Sequence, residues 1–326
     1  MKQALVVAGL VAGAFVWLAP GAGANDSSAE LAAGGIRLVP NWDIRMERED
    51  LYLSPEEVRV RYVFRNTTDE PIRLLVAFPL PDVDMSELFD APIDIPDADS
   101  DNFVDFRVTV NGVAVEPAVE QRAIAQGIDR SDMLRGLGIP LNPFAQATYD
   151  ALEAVDPSSR ADLVRLGIAH SYEPHDPLAP FWTLRTVFHW EQDFAPGTET
   201  IVEHSYRPVV GQSFFGAFVF DNDYSGHVER YCIDRSTEAG IRKRLADTGA
   251  DYLIEHRLGY ILTTARNWLG PIGTFRLVID KADPSWLVSL CIDGIKKIGP
   301  TQFEFVASDF IPEEDIEVLF LAPAAN

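Results

Sequence analysis

The sequence predicts a mainly β protein with α insertions: two packed, antiparallel, sandwich-like domains, with a helical insertion in the first. Three observations predict it. Val58, Val60, Tyr62 and Phe64 alternate with Arg59, Arg61 and Arg65, and Ile72, Leu74, Val76 and Phe78 repeat the apolar row after the turn-forming run Asn66 to Pro71. Period-two alternation marks strands with one buried face, and the pair reads as a hairpin. Asn111-Gly112, between Phe106–Val110 and Val113–Val115, is a strong two-residue hairpin signal. From about 119 to 176 the strand grammar gives way to helix signals and then resumes.

The chain opens with Lys2, an apolar run from Ala4 to Leu18 and the small residues Ala22-Gly23-Ala24. This is the pattern of a cleaved secretory leader, with the cut expected between Ala24 and Asn25. The run is short for a membrane span, and no later segment is long and apolar enough to cross a bilayer. Gly34-Gly35 opens a strand over Ile36–Val39, the run from Trp42 to Met46 is extended, and Glu49–Pro55 reads as a short strand and a turn. Pro79 and Pro81 end the row that follows, because proline cannot donate to a ladder. The stretch from Asp82 to Asp105 carries eight aspartates and one glutamate. Those acids are expected to pair with the Arg59, Arg61 and Arg65 face.

Within the helical block, Asn142-Pro143 and Asp156-Pro157 read as an N-cap followed by proline at the first helical position, and Gly167 as a stop. Phe181–Trp190 and Thr200–Tyr206 read as strands joined at Pro196-Gly197. That places His189 and His204 as cross-strand neighbours on a surface. Beyond a soft boundary near 212, Phe214–Phe220 reads as a strand and Ser236-Thr237-Glu238 caps a helix reaching about Thr248. Strands are then expected over Tyr252–Thr264, Thr274–Asp280, Trp286–Ile292, Gln302–Ala307 and Ile316–Leu321. The domains are therefore 25–212 and 213–326, after a leader of residues 1–24.

The 326 residues carry a formal net charge of −23. Such acidity disfavours nucleic acid and anionic membrane surfaces. Cys232 and Cys291 are the two cysteines, and in an exported chain they are most simply one disulfide. No phosphate-binding glycine loop, nucleophile elbow or paired-histidine zinc motif is present, so no catalytic residue, metal ligand or cofactor is assigned. Asp97, Asp99 and Asp101 have the alternating spacing of a calcium loop, but its sixth and twelfth positions are Asn102 and Val108. Asp221–Gly226 fits better through Gly226, but Cys232 stands where the bidentate ligand belongs. Fifty acidic residues leave a glycosidase-type carboxylate pair open, since spacing picks out none.

NDSSAELAAGGIRL at 25–38, EDLYLS at 49–54, VRYVFRN and VAFPLPD at 60–82, SYRPVVG at 205–211 and LTTARNWLGPIGTFRLVIDK at 262–281 together resemble the secreted bacterial domain of unknown function 4424 family. The strand–turn–strand region alone, from Asn66 to Pro81, is also similar to the VIT domain, a β-sandwich module. The first resemblance spans the chain after the leader. It implies an exported, periplasmic bacterial protein with its cysteines paired, and brings no activity or catalytic residues. The function expected is binding of an unknown protein or envelope ligand without catalysis, the helical block forming a lid or docking surface. A hydrolase acting on envelope sugars or peptides and a structural accessory subunit are the alternatives.

Overall fold

The structure is a computed structural model that describes residues 25–32, 35–88, 95–173, 176–221 and 226–324. The leader, including Ala24, and most of the Asp221–Gly226 loop lie outside the described residues.

Two large sheets form the sandwich. The eight-stranded sheet runs in the order Lys296–Lys297, Gln302–Phe310, Ile272–Asp280, Ile44–Leu53, Val58–Asn66, Glu199–Tyr206, Arg107–Val110, Val113–Val115. The seven-stranded sheet runs Ile128–Asp129, Ala118–Ala125, Thr183–Phe194, Ile72–Pro79, Ser27–Ala32, Gly35–Leu38, with Val83–Asp84 beside Thr183–Phe194. Their inner faces share one core, in which Phe106 stacks between Phe78 and Phe188 and Phe64 meets Phe194 and Trp268.

The alternation at 58–78 is real, but it does not make a hairpin. Val58–Asn66 pairs with Ile44–Leu53 and Glu199–Tyr206, whereas Ile72–Pro79 pairs with Thr183–Phe194 and Ser27–Ala32. The two apolar rows therefore face each other across the core from opposite sheets. Asn66 fixes this arch: its Nδ2 donates to the carbonyls of Glu70 and Phe194, and its Oδ1 accepts from Thr68. The chain crosses again between Phe194 and Glu199, and the two arches meet where Gly197 N donates to the Asn66 carbonyl. His189 and His204 thus lie in different sheets, and His204 is buried.

The arginine face is also not covered by the acidic stretch. Arg59 pairs with Glu57 and lies over the Tyr52 ring, Arg61 pairs with Glu203, and Arg65 with Glu47 and Glu199. Acids on the same or adjacent strands reach these groups first. In the acidic stretch, Asp99 accepts from Gln146 N at the start of helix Gln146–Ala154. That helix begins three residues beyond Pro143. The helical segment itself begins at Ser131. Ala118–Ala125, rich in helix-forming residues, is a strand whose Gln121, Ala123 and Ala125 are buried in alternation. Asp156 caps helix Pro157–Arg165 as expected, accepting from Ser158 N and Ser159 N. The block has its own core around Leu152, Leu163 and Trp182.

Strands from both sides of residue 212 share the eight-stranded sheet. Ile272–Asp280 runs parallel to Ile44–Leu53, an exception to the antiparallel expectation. The four-stranded sheet Gly211–Gly216, Tyr252–Tyr260, Ile316–Pro323, Leu287–Leu290 leans on the sandwich. Val318 and Phe320 enter the sandwich core, while Leu319 and Leu321 pack beneath helix Arg235–Thr248. Cys232 and Cys291 are joined, with Cα atoms 5.0 Å apart, tying the helical side of this layer to the edge strand Leu287–Leu290. The bridge closes a loop over a separation of 59 residues, so replacing both cysteines by serine should cost about 3–4 kcal/mol. Urea unfolding of the variant checks this, and an unchanged midpoint would mean that the bridge adds nothing.

Candidate functional site

A cleft of about 500 Å³ opens between the sandwich and the four-stranded layer. Leu80–Asp84, Glu87, Val104, Arg185 and Tyr206 form the sandwich wall; Arg230, Tyr231, Arg257, Tyr260, Asp315 and Glu317 belong to the opposite wall. None of the described residues between 119 and 176 lines it.

Among the described residues, five carboxylates and three guanidinium groups line the cleft. Four of the carboxylates already hold protein groups. Asp82 takes a two-point bond from Arg185, at 3.1 and 2.7 Å. Asp84 accepts from Ser86 N and Oγ. Asp315 Oδ1 accepts from Leu262 N, Thr263 N and Thr263 Oγ1, capping the short 3-10 helix Thr263–Asn267. Glu317 lies 3.3 Å from Arg230; burial raises its pKa, and the arginine opposes that rise.

Two hydroxyl donors are in the opposite condition. The hydroxyls of Tyr206 and Tyr231 are buried and make no hydrogen bond among the described residues. Burial alone pushes the Tyr206 phenol up, and it is the main cause that pushes Tyr231 up to about 12. Both stay protonated as donors. Arg257 Nε makes no hydrogen bond among the described residues and is ion-paired with the Glu255 carboxylate at 3.5 Å. Buried polar groups are rarely left in this state without a ligand or ordered water.

Behind the cleft, Tyr206 and Tyr260 border a buried polar pocket. His204 Nε2 and Asp26 Oδ1 are 2.9 Å apart, both side chains fully inaccessible. Four aromatic rings, those of Tyr62, Phe78, Phe106 and Trp190, surround the imidazole at 5.0–5.6 Å. Glu49 accepts from Asn25 Nδ2 at 3.2 Å and also interacts with the Tyr260 hydroxyl, which is 3.0 Å from that of Tyr62. Burial pushes the Glu49 carboxyl up to about 8, and the nearby Asp26 adds to the rise.

Of the residues singled out from sequence, Cys232 and Cys291 are bonded, Asn25 lies in the buried pocket, and the leader lies outside the described residues. Asp26, Glu49, His204, Tyr206 and Arg257 carried no motif. For His204 a signal existed: Thr200, Val202, His204 and Tyr206 form the inward row of one alternating strand, all buried. Among the described residues no group of three or more metal-ligating side chains is gathered. No helix among them is long and apolar enough to cross a membrane.

Fold and cleft together define a β-sandwich protein with a solute-sized cavity against a smaller α+β layer. The chain belongs to the family described as domain of unknown function DUF4424, whose profile matches residues 24–319. No curated protein matches it. Among solved structures it is similar to a Legionella pneumophila protein provisionally named as nutrient-binding, with 15% identity and a TM-score of 0.43, over 92% of this chain and 70% of that one. At that distance the likeness informs neither the site nor a ligand.

Proposed function

We propose that the protein is exported, and that its cleft binds a small polar solute without transforming it. The observation that carries this reading is the asymmetry of the lining. Four of the five carboxylates are engaged by protein donors and Arg257 is ion-paired with Glu255, while the hydroxyls of Tyr206 and Tyr231 have no hydrogen-bond partner among the described residues. Carboxylates held in this way are poorly placed to act as a free acid–base pair, which tells against the hydrolase alternative. The two hydroxyls are inaccessible in this structure, so a solute that bonds them must shift the side chains over them and carry acceptors, and the acidic surplus of the lining disfavours an anionic one. Neutral sugars, polyols and zwitterionic amino acids fit both conditions. The leader pattern around Ala4–Ala24 and the Cys232–Cys291 bridge, a bond that persists in oxidising compartments, support export.

A melting-temperature panel of these solutes at millimolar concentration tests the binding. One class is expected to stabilise the protein, by about 2.7 kcal/mol at a hundredfold excess over its Kd. Arg257→Gln and Tyr231→Phe are each expected to weaken that binding about tenfold, the ~1.4 kcal/mol of one hydrogen bond. The reading fails if no solute shifts the transition, or if mass spectrometry finds the bound solute cleaved.

A further inference from the structure

The first four residues after the expected cut, Asn25, Asp26, Ser27 and Ser28, are polar and fully buried or nearly so. Chain starts are usually frayed unless something ties them down. Here the ties are specific. Thr264 Oγ1 donates to the Asn25 carbonyl, Trp268 Nε1 to the Asp26 carbonyl, and Asn267 Nδ2 to Ser27 Oγ. The Asn25 side chain bonds Glu49, and the Asp26 side chain meets His204.

The pocket so formed is short of positive charge and of donors. It holds two buried carboxyls, Asp26 and Glu49, and one imidazole, His204. Even a protonated imidazole leaves one carboxyl without a counter-charge. Asn25 Oδ1 and Asp26 Oδ2 are buried acceptors with no donor among the described residues. Buried carboxylates in this condition are costly unless a cation joins them.

We propose that the cut after Ala24 supplies that cation: the new α-ammonium of Asn25 occupies the pocket beside Glu49 and Asp26 and locks the processed sandwich. A leader-removing peptidase would hydrolyse the bond between residues 24 and 25 with one water. A carboxylate is left on Ala24 and an amine on Asn25, and the amine takes up a proton near neutral pH. The α-nitrogen is four bonds from Asn25 Nδ2, so covalent geometry keeps the two within about 5 Å. Nδ2 already touches Glu49, so the ammonium starts within that distance of a group seated in the pocket. It brings three N–H donors, enough for both orphan acceptors and a Glu49 oxygen. The uncut chain has an uncharged amide with at most one N–H at that point, so it lacks both the charge and the donors.

The inference rests on the export reading for the cut itself, and two separate measurements keep them apart. Chains prepared to begin at Asn25 and at Ala24 are compared by thermal unfolding, each with and without Glu49→Gln. The Asn25 start is expected to melt roughly 5–10 °C higher, and Glu49→Gln should remove most of that difference. Equal melting temperatures, or a difference that survives Glu49→Gln, would overturn the pairing. Should Glu49→Gln not fold, acylation of the α-amine is the second readout. It should be slowed about tenfold or more in the folded Asn25 start relative to the unfolded chain, and equal rates would overturn the burial. The mass of the protein recovered from its own cells reports the natural start: a start at Asn25 supports the cut, and any other start overturns it independently of the melting result.

Discussion

Replacing His204 by alanine is expected to destabilise the fold by ~3–5 kcal/mol, one of the two largest effects anticipated for this chain. The imidazole sits 2.9 Å from Asp26 with both side chains fully inaccessible. Where the Asn25 nitrogen is still in a peptide bond, removing the imidazole leaves a carboxyl in an aromatic enclosure with no partner among the described residues for Oδ1 or for Oδ2. The penalty comes from that stranded group more than from the lost attraction. Replacing both residues by leucine should therefore recover much of the loss, because a buried pair exchanged for apolar side chains is often close to neutral. Urea unfolding of the two single variants and the double variant gives the coupling. A His204→Ala loss under about 1 kcal/mol would mean that the pair is not a structural centre.

The second large effect is pH dependence through Glu49. In a chain whose Asn25 nitrogen remains in a peptide bond, Glu49 is pushed up to about 8 from an ordinary 4.5. A carboxyl raised in the folded state favours folding most while protonated. Its contribution is fully present below 4.5 and is lost as pH rises through about 8. The expected loss across that window is on the order of 5 kcal/mol. The groups facing Glu49 are Asn25, Asp26, Tyr62, Tyr260 and the neighbouring Asp50. Asp26 is also raised by burial, an effect that His204 opposes, so the Glu49 share is read as the difference between wild type and Glu49→Gln. Unfolding midpoints at pH 5 and pH 8 should converge in Glu49→Gln; parallel slopes would sink the assignment. A chain beginning at Asn25 should show a flatter profile than one beginning at Ala24.

Much of the fold was legible where the information is local. The phase of each strand follows from alternation, as in Val58–Asn66, and the Asn111-Gly112 turn has both residues at positive φ, 49° and 77°. Asp156-Pro157 and the strands after 252 were equally readable. What local sequence does not carry is the partner. A buried row at 58–64 and another at 72–78 look alike whether the chain folds back within one sheet or crosses to the facing one. The choice is made by Asn66 reaching Phe194, 128 residues away. Ala118–Ala125 misled because alanine, glutamate and glutamine favour helices, a preference that pairing with Thr183–Phe194 overrides. The polar pocket was illegible for a further reason: Asn25 and Asp26 look like a solvated tail, and only their distant contacts with Glu49, His204 and Trp268 bury them.

The parallel pairing of Ile44–Leu53 with Ile272–Asp280 sets Leu51 opposite Leu277. Synthesis at ~5–20 residues per second leaves the earlier strand waiting roughly 10–45 s for its neighbour to be made. From the arrival of Glu199–Tyr206 until that neighbour is made, one flank of the sandwich is an open edge, able to pair with any extended segment nearby. The last strand positions, not the first, therefore decide when the chain stops being a hazard to itself, and an escort that holds it extended during this interval would meet a need written into its topology.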